Sequence, residues 1–419
     1  MFSPKYSCVA KIVILFLLVG AVSGNASEHG LFSRPSLLDG PGGPKAWLRV
    51  RGITVDASLT HFFQGLASGD GDQDMQSGGK GDILLAFDGW KLGLWQGLFM
   101  NMHGEAIYGD DANTQGNGTI IPVNTALAFP QLGGSDEELS LTLTQQINEQ
   151  TMLTLGKFNM LDAAARTPLI GGGGLDTFMN LGLAAPISGV TPAYLLGGLL
   201  SYRTDPAAFG LFVYDPHSAQ DSDVLKDPFD DGVTFSLSVT EPFQLWGDTS
   251  IHRIRGVYST QDGIDLRDIP QLLLPPEAER ELGTRSGYWF FSYAFQHFFF
   301  QDETDPSRGW GLFGQLGVSD GNPNPVEWSC FIGIGGNNPL AGRNHDRFGI
   351  AYFRYSLSDD LVDGLRPVIR LEDEHGIEAF YDFAVAPWLK ITGNLQVIDP
   401  ALSDNSRSVF LGLRTQVKF

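Results

Sequence analysis

Cysteine is nearly missing from this chain. Its 419 residues hold two, and Cys8 sits inside an N-terminal leader, so Cys330 alone would remain after export and a disulfide framework is excluded. No CxxC pair or His/Cys cluster is present to build a structural zinc site. Positive charge is also scarce: 27 Lys and Arg face 48 Asp and Glu, a formal net charge of −21, and acidity of that size repels nucleic acid. Past the leader there is no apolar run long enough for a membrane helix, which needs ~20 residues. Catalytic signatures are missing too, with no H-E-x-x-H and no G-x-S-x-G. Asp359 and Asp360, and the acidic run Glu372 to Glu374, are sequence neighbours within one connection, whereas a glycosidase pair must be held about 5 to 9.5 Å apart across a sugar. We expect neither enzyme chemistry nor a cofactor.

The first residues read as a secretory leader over 1–26. Lys5 and Lys11 precede an apolar run from Ile12 to Val22, and Gly24 and Ala26 follow at the spacing a signal peptidase reads. The run is too short for a transmembrane anchor, and Cys8 lies before it rather than at its end, so there is no lipoprotein box. The mature chain is expected to begin near Ser27. Glycine (52) and phenylalanine (29) are abundant, only 18% of residues are charged, and mean hydropathy is −0.04. An exported chain of this kind is either a soluble all-β protein or an outer-membrane barrel whose lipid-facing and lumen-facing residues average out.

Period-2 alternation favours the barrel. From Val409 to Phe419 the odd positions Val409, Leu411, Leu413, Thr415, Val417 and Phe419 oppose Gly412, Arg414, Gln416 and Lys418. Val233, Phe235, Leu237 and Val239 oppose Thr234, Ser236, Ser238 and Thr240, while Trp289, Phe291, Tyr293 and Phe295 form an aromatic face. Such segments predict sixteen strands near 53–64, 81–89, 97–108, 138–147, 151–158, 193–203, 207–214, 232–241, 249–259, 287–299, 309–319, 327–334, 346–356, 375–386, 389–398 and 409–419. Connections alternate long and short from 65–80 onward, as antiparallel crossings from a periplasmic N-terminus require. The pair 320–326 and 335–345 breaks that order. A soluble sandwich has no reason to alternate connection length. Ahead of the first strand, Pro44 to Arg51 predicts a short periplasmic helix stopped by Gly52. The expected organisation is thus a leader (1–26), a periplasmic segment (27–52) and an all-β transmembrane antiparallel barrel (53–419).

The third long connection, 159–192, is the natural constriction by analogy with sixteen-stranded porins, in which that loop folds inward. Gly171 to Gly174 allow close packing, and Asp162, Arg166 and Asp176 are its chief charges; no Walker lysine follows to make the glycines a phosphate cradle. Strand parity places Asn101, His103 and Glu105 on one polar face, and adds Asp56, Lys157, Arg203, Arg253, Arg255, Arg354, Glu378 and Asp382 to the lumen wall. Of these, His103, Glu105, Lys157, Arg166, Arg203, Arg253, Arg255, Arg354 and Glu378 are the candidate pore-lining residues. Opposed charges at a narrow point set a transverse field and offer hydrogen bonds to hydroxyls.

The chain resembles the OprB-type carbohydrate-selective porins over nearly its whole mature length. The resemblance rests on Ala46-Trp47-Leu48 through Gly52-Ile53-Thr54-Val55, on Gly156-Lys157-Phe158-Asn159 with Asp162, and on Phe178-Met179-Asn180 leading to Thr191-Pro192-Ala193-Tyr194. It rests most specifically on Glu378 to Tyr381, Pro387-Trp388-Leu389 and Leu395-Gln396-Val397-Ile398-Asp399-Pro400. It implies a sixteen-stranded outer-membrane barrel passing glucose-like sugars without a cofactor. A general or cation-preferring pore without a sugar site is the alternative, given the acidity, and a secreted sugar-binding or hydrolytic β-protein is a third. The expected partners are sugars or small polar solutes, membrane lipid and lipopolysaccharide bridged through acidic loops, and the barrel-assembly machinery through Phe419. Analogy with other porins implies a homotrimer, although no strand face demands one.

Overall fold

Alternating side chains leave each strand one face for lipid and one for the interior, and closure of the sheet removes the edges that hydrocarbon could not satisfy. In the computed structural model, which describes residues 30–40, 42–220, 226–272, 282–302, 305, 308–340 and 342–419, this produces a closed sixteen-stranded antiparallel barrel. The strands are β1 (Ile53–Ser68), β2 (Met75–Asp88), β3 (Leu98–Gly109), β4 (Glu137–Gln146), β5 (Thr151–Asn159), β6 (Tyr194–Arg203), β7 (Ala208–Tyr214) and β8 (Thr234–Leu245). They continue as β9 (Asp248–Ile264), β10 (Thr284–Gln301), β11 (Gly309–Ser319), β12 (Val326–Asn337), β13 (Arg347–Leu357), β14 (Glu374–Ala386), β15 (Leu389–Asp399) and β16 (Ser408–Lys418). Each pairs with its sequence neighbour, and β1 pairs with β16 to close the ring. The expected leader lies outside the described residues.

Parity follows the sequence. On β16, Leu411 and Leu413 are each 48% exposed outward, whereas Phe410 and Arg414 are buried inside. Trp289, Phe291 and Tyr293 of β10 face out in the same way. The short helix α1 (Pro44–Val50) stops where Gly52 takes φ +89°, a left-handed conformation that glycine adopts without strain. Its Lys45 reaches Phe419 O at 2.8 Å and Asp56 at 3.1 Å, fastening the N-terminal segment to the end of the last strand.

Three expectations need correction. The first long loop, placed at 65–80, contracts to 69–74 because β1 and β2 pair from Ile53↔Phe87 to Gly65↔Met75. The run Gly78-Gly79-Lys80-Gly81 belongs to a strand but carries too few side chains to show alternation. Arg354 is not on the pore wall: it shares a face with Ile350 and Tyr352, outward like the exposed Ile350 and Ile377, and it pairs with Asp373 at 2.7 Å beside the Trp328 ring. Lastly, the interior is not uniformly polar. Inward Phe298, Phe313, Phe331, Phe353, Tyr355, Phe380 and Phe410 form one buried cluster with Ile121, Val123, Leu169, Ile170, Phe178 and Leu183 from two infolded connections.

Candidate functional site

Those two connections turn into the barrel and pack on its inner wall. The third, 160–193, was expected inside; the second, 110–136, was not. The third starts with α3 (Met160–Ala165), the second contains α2 (Thr125–Ala128), and a further turn, α4 (Leu181–Ala184), lies deeper in the third. They touch one another through Thr125 N to Met179 O at 2.8 Å and Leu181 N to Pro122 O at 2.9 Å. Buried backbone donors and acceptors need partners, and the wall supplies them as side chains.

On β14, four residues apart and both inward, Glu374 and Glu378 each grip one connection. Glu374 accepts from Ile120 N (2.7 Å), Ile121 N (3.1 Å) and Ala401 N (3.2 Å). Glu378 accepts from Met179 N (2.6 Å), Asn180 N (3.0 Å) and Asn394 Nδ2 (2.5 Å). Carbonyls are met by cations: Arg414 donates to Gly174 O and Thr177 O, each at 2.9 Å, and Arg347 to Pro168 O at 2.8 Å. Burial would raise the Asp176 carboxyl, but Lys418 and Lys390 at 3.0 and 3.6 Å outweigh it and hold the group below the ordinary carboxylate range. Asp382, expected on the wall, is buried there and pairs with Lys390 at 2.8 Å.

A second buried network anchors the opposite end of these connections. The β2–β3 register sets Asp82 opposite Glu105. Lys80 lies 3.0 Å from Glu105, and His103 places Nε2 3.1 Å from Asp82 and Nδ1 3.0 Å from Asp162, just inside the third connection. Asn159 and the Tyr194 hydroxyl also donate to Glu105, and Lys80 donates to Phe129 O of the second connection. Ligand atoms of Asp82, His103 and Glu105 lie within 4.8 Å of one another, near enough to share a cation, yet Lys80 already supplies that charge. His103, Glu105 and Glu378 were expected to line the pore; all are buried, and they hold loops to the wall.

The remaining candidates are more open. Arg253 on β9 is exposed, with no hydrogen-bond or ion-pair partner among the described residues. Two residues along the same face, Arg255 donates to Ser236 Oγ (3.0 Å) and Thr191 Oγ1 (2.7 Å). Arg166 is exposed where α3 ends, and Arg203 is exposed at the last residue of β6, near the turn into β7. Lys157 pairs with Glu138 at 2.6 Å. The register sets it opposite Leu141, and Gly156 before it takes φ +140°, where a Cβ would sit 2.2 Å from Leu141 O. Asn101 is exposed on β3, and Asp56 is drawn to Lys45.

Sequence reasoning missed Lys80, Asp82, Arg347, Glu374 and Arg414. Lys80 was hidden by its assignment to a loop. Arg414 was visible on the polar face of the last strand, but nothing in the sequence paired it with the carbonyls of Gly174 and Thr177.

Comparison with known proteins agrees with this architecture. The family described as "Carbohydrate-selective porin, OprB family" matches residues 72–419. Porin B of Pseudomonas aeruginosa is 26% identical over 189 residues, an alignment spanning 40% of this chain and 41% of that protein's length. The high-pH structure of Pseudomonas putida OprB superposes with a TM-score of 0.76 at 16% identity, covering 93% of this chain and 100% of that one. The low-pH structure of the same protein gives 0.52 at 13% identity, covering 92% and 99%. A closed sixteen-stranded barrel with two infolded connections, matched by the family over most of its length, makes this chain a member of the OprB family of carbohydrate-selective porins.

Proposed function

We propose that the chain is an outer-membrane diffusion pore for sugars, narrowed by its second and third long connections. The observation that carries the reading is the exposed Arg253, without a partner among the described residues, beside Arg255 on an inner wall whose neighbouring strand β8 turns Ser236, Ser238 and Thr240 to the same side. Guanidinium donors and hydroxyls within a low-dielectric wall can exchange hydrogen bonds with a polyhydroxy solute and compensate part of its lost hydration. Arg166, Arg203 and Lys157 extend that lining, while His103, Glu105 and Glu378 set its shape through the loops they hold.

A cation-preferring pore remains the rival, because the chain is strongly acidic. Against it, many of the acids stand in the connections between strands, such as Asp70, Asp72, Asp110, Asp230, Asp359 and Asp404, and the open charges on the wall include Arg253 and Arg203. The acidic loops suit divalent cations bridging lipopolysaccharide, Phe419 suits recognition by the assembly machinery, and the porin analogy suits a homotrimer.

Liposomes containing the purified protein should swell in isotonic monosaccharide faster than protein-free liposomes, and sugar should block ion current through single pores in a planar bilayer. Swelling no faster than the control would refute permeation. Normal conductance without sugar block would favour the general pore.

A further inference from the structure

Outside the pore wall, one cluster of His and Asp side chains among the described residues has the spacing to hold a metal ion. The connection from β7 to β8 opens with Asp215 and His217 and closes with Asp230 and Asp231. Asp215 is fully buried. Its Oδ1 accepts from His217 N at 2.9 Å and lies 3.2 Å from His217 Nδ1, while its Oδ2 accepts from Phe229 N at 2.6 Å. One buried carboxylate therefore ties the start of the connection to its end. With the Nδ1 proton directed at Asp215, Nε2 turns its lone pair outward, where it accepts from Gln261 Nε2 at 3.0 Å and lies 3.4 Å from Asp231 Oδ2. Ligand atoms of His217, Asp230 and Asp231 all lie within 4.8 Å of one another. The contact of Nε2 with Asp231 Oδ2 needs positive charge between its two atoms, supplied by a proton on Nε2 or by a metal ion. Metal bonds of about 2.0–2.2 Å at a tetrahedral angle separate two ligand atoms by ~3.4 Å, which is the spacing of Nε2 and Oδ2 here.

We propose that His217, Asp230 and Asp231 bind a divalent transition-metal ion of the zinc type, with Asp215 as the positioning residue. One imidazole and two carboxylates suit zinc, nickel or copper; calcium and magnesium prefer oxygen alone. A carboxylate on the far ring nitrogen fixes the tautomer and raises the basicity of the ligating one. The His217 and Asp231 side chains are 33% and 67% exposed, leaving an entry path for an ion that displaces the Gln261 amide from Nε2, and room for water as a further ligand. The site belongs to the long-loop end of the barrel: Ala219 N donates to Tyr194 O and Gln220 Nε2 to Pro130 O, each at 2.9 Å. A bound ion would brace the connection against the second infolded loop.

Chelator-treated protein, folded in detergent and checked for heat-modifiable gel mobility, is titrated with zinc chloride in a calorimeter. The wild type should take up one zinc per chain more than His217→Ala. Asp231→Asn should weaken that binding at least about tenfold, and Asp215→Asn, which keeps all three ligands, by about 10–100-fold. If His217→Ala fails to assemble, the well-exposed Asp231→Asn carries the comparison. Equal uptake by the wild type and these variants would overturn the proposal and reduce the cluster to an imidazolium–carboxylate pair.

Discussion

Replacing Glu378 by alanine tests whether the third connection is held inside by a few specific bonds. The carboxyl group accepts three hydrogen bonds, from Met179 N, Asn180 N and Asn394 Nδ2. A bond to a carboxylate contributes ~1.5–3 kcal/mol, and a buried N–H left without an acceptor costs ~1–3 kcal/mol. Truncation removes the acceptor from two buried backbone donors at once, so the turn at 178–180 should lose about 3–6 kcal/mol of its docking energy. Since 1.4 kcal/mol is tenfold in population, the undocked turn should become roughly a hundredfold or more commoner. The barrel should survive, because its ladders do not involve this group, and Arg414, Arg347 and the Phe178 cluster should keep the loop from leaving altogether. In planar bilayers the variant should show larger and noisier single-channel conductance than the wild type. A folded variant with unchanged conductance and noise would refute the idea that this carboxyl sets the loop's position.

Arg253→Ala should change stability by less than about 0.5 kcal/mol, since the side chain has no partner to lose, yet move the reversal potential in a salt gradient toward cation preference and weaken sugar block. The Asp176 anchor should be insensitive to mild acid. A carboxyl held below its ordinary value contributes fully above the unfolded value of ~3.9 and loses that contribution only as pH falls toward its lowered folded value. The difference in conductance between the wild type and Asp176→Asn, which lacks the anchor at every pH, should therefore stay constant near pH 5 and shrink only in stronger acid. Lys45→Met removes bonds to Phe419 O, Ser36 and Asp56 and should lower the temperature at which the barrel unfolds on heated gels, by an amount matching about 1–3 kcal/mol; an unchanged transition would mean the clasp is dispensable.

The strands were legible because lipid on one side and the interior on the other impose a period of two, and the register of β8, β10 and β16 reads directly from residues such as Phe235, Trp289 and Leu413. Where side chains vanish, the signal vanishes: the glycines around Lys80 concealed the outer half of β2 and with it the partner of Glu105. Arg354 misled for another reason, since a charge near a strand end can face outward when a carboxylate such as Asp373 and a ring such as Trp328 receive it. The packed interior was harder to foresee. Strands β12 and β13 carry aromatics on both faces, as in Tyr352-Phe353, and a strand apolar on its inner side cannot border water. That doubled greasiness was the available sign that something would lie against Phe331 and Phe353. Nothing in local sequence says that Glu374 and Glu378 would spend their oxygens on loop amides rather than on solute, because those pairings join positions over a hundred residues apart.

The filled side of the barrel separates two properties that a bare cylinder would tie together. A ring of fixed strand number has a fixed circumference, but here the clearance left for a traveller depends on how far a buttress of loop stands out from one wall. Substitutions in that buttress can widen or tighten the sieve while every rung of the sheet stays in place, so size selection can change without risk to insertion in the membrane.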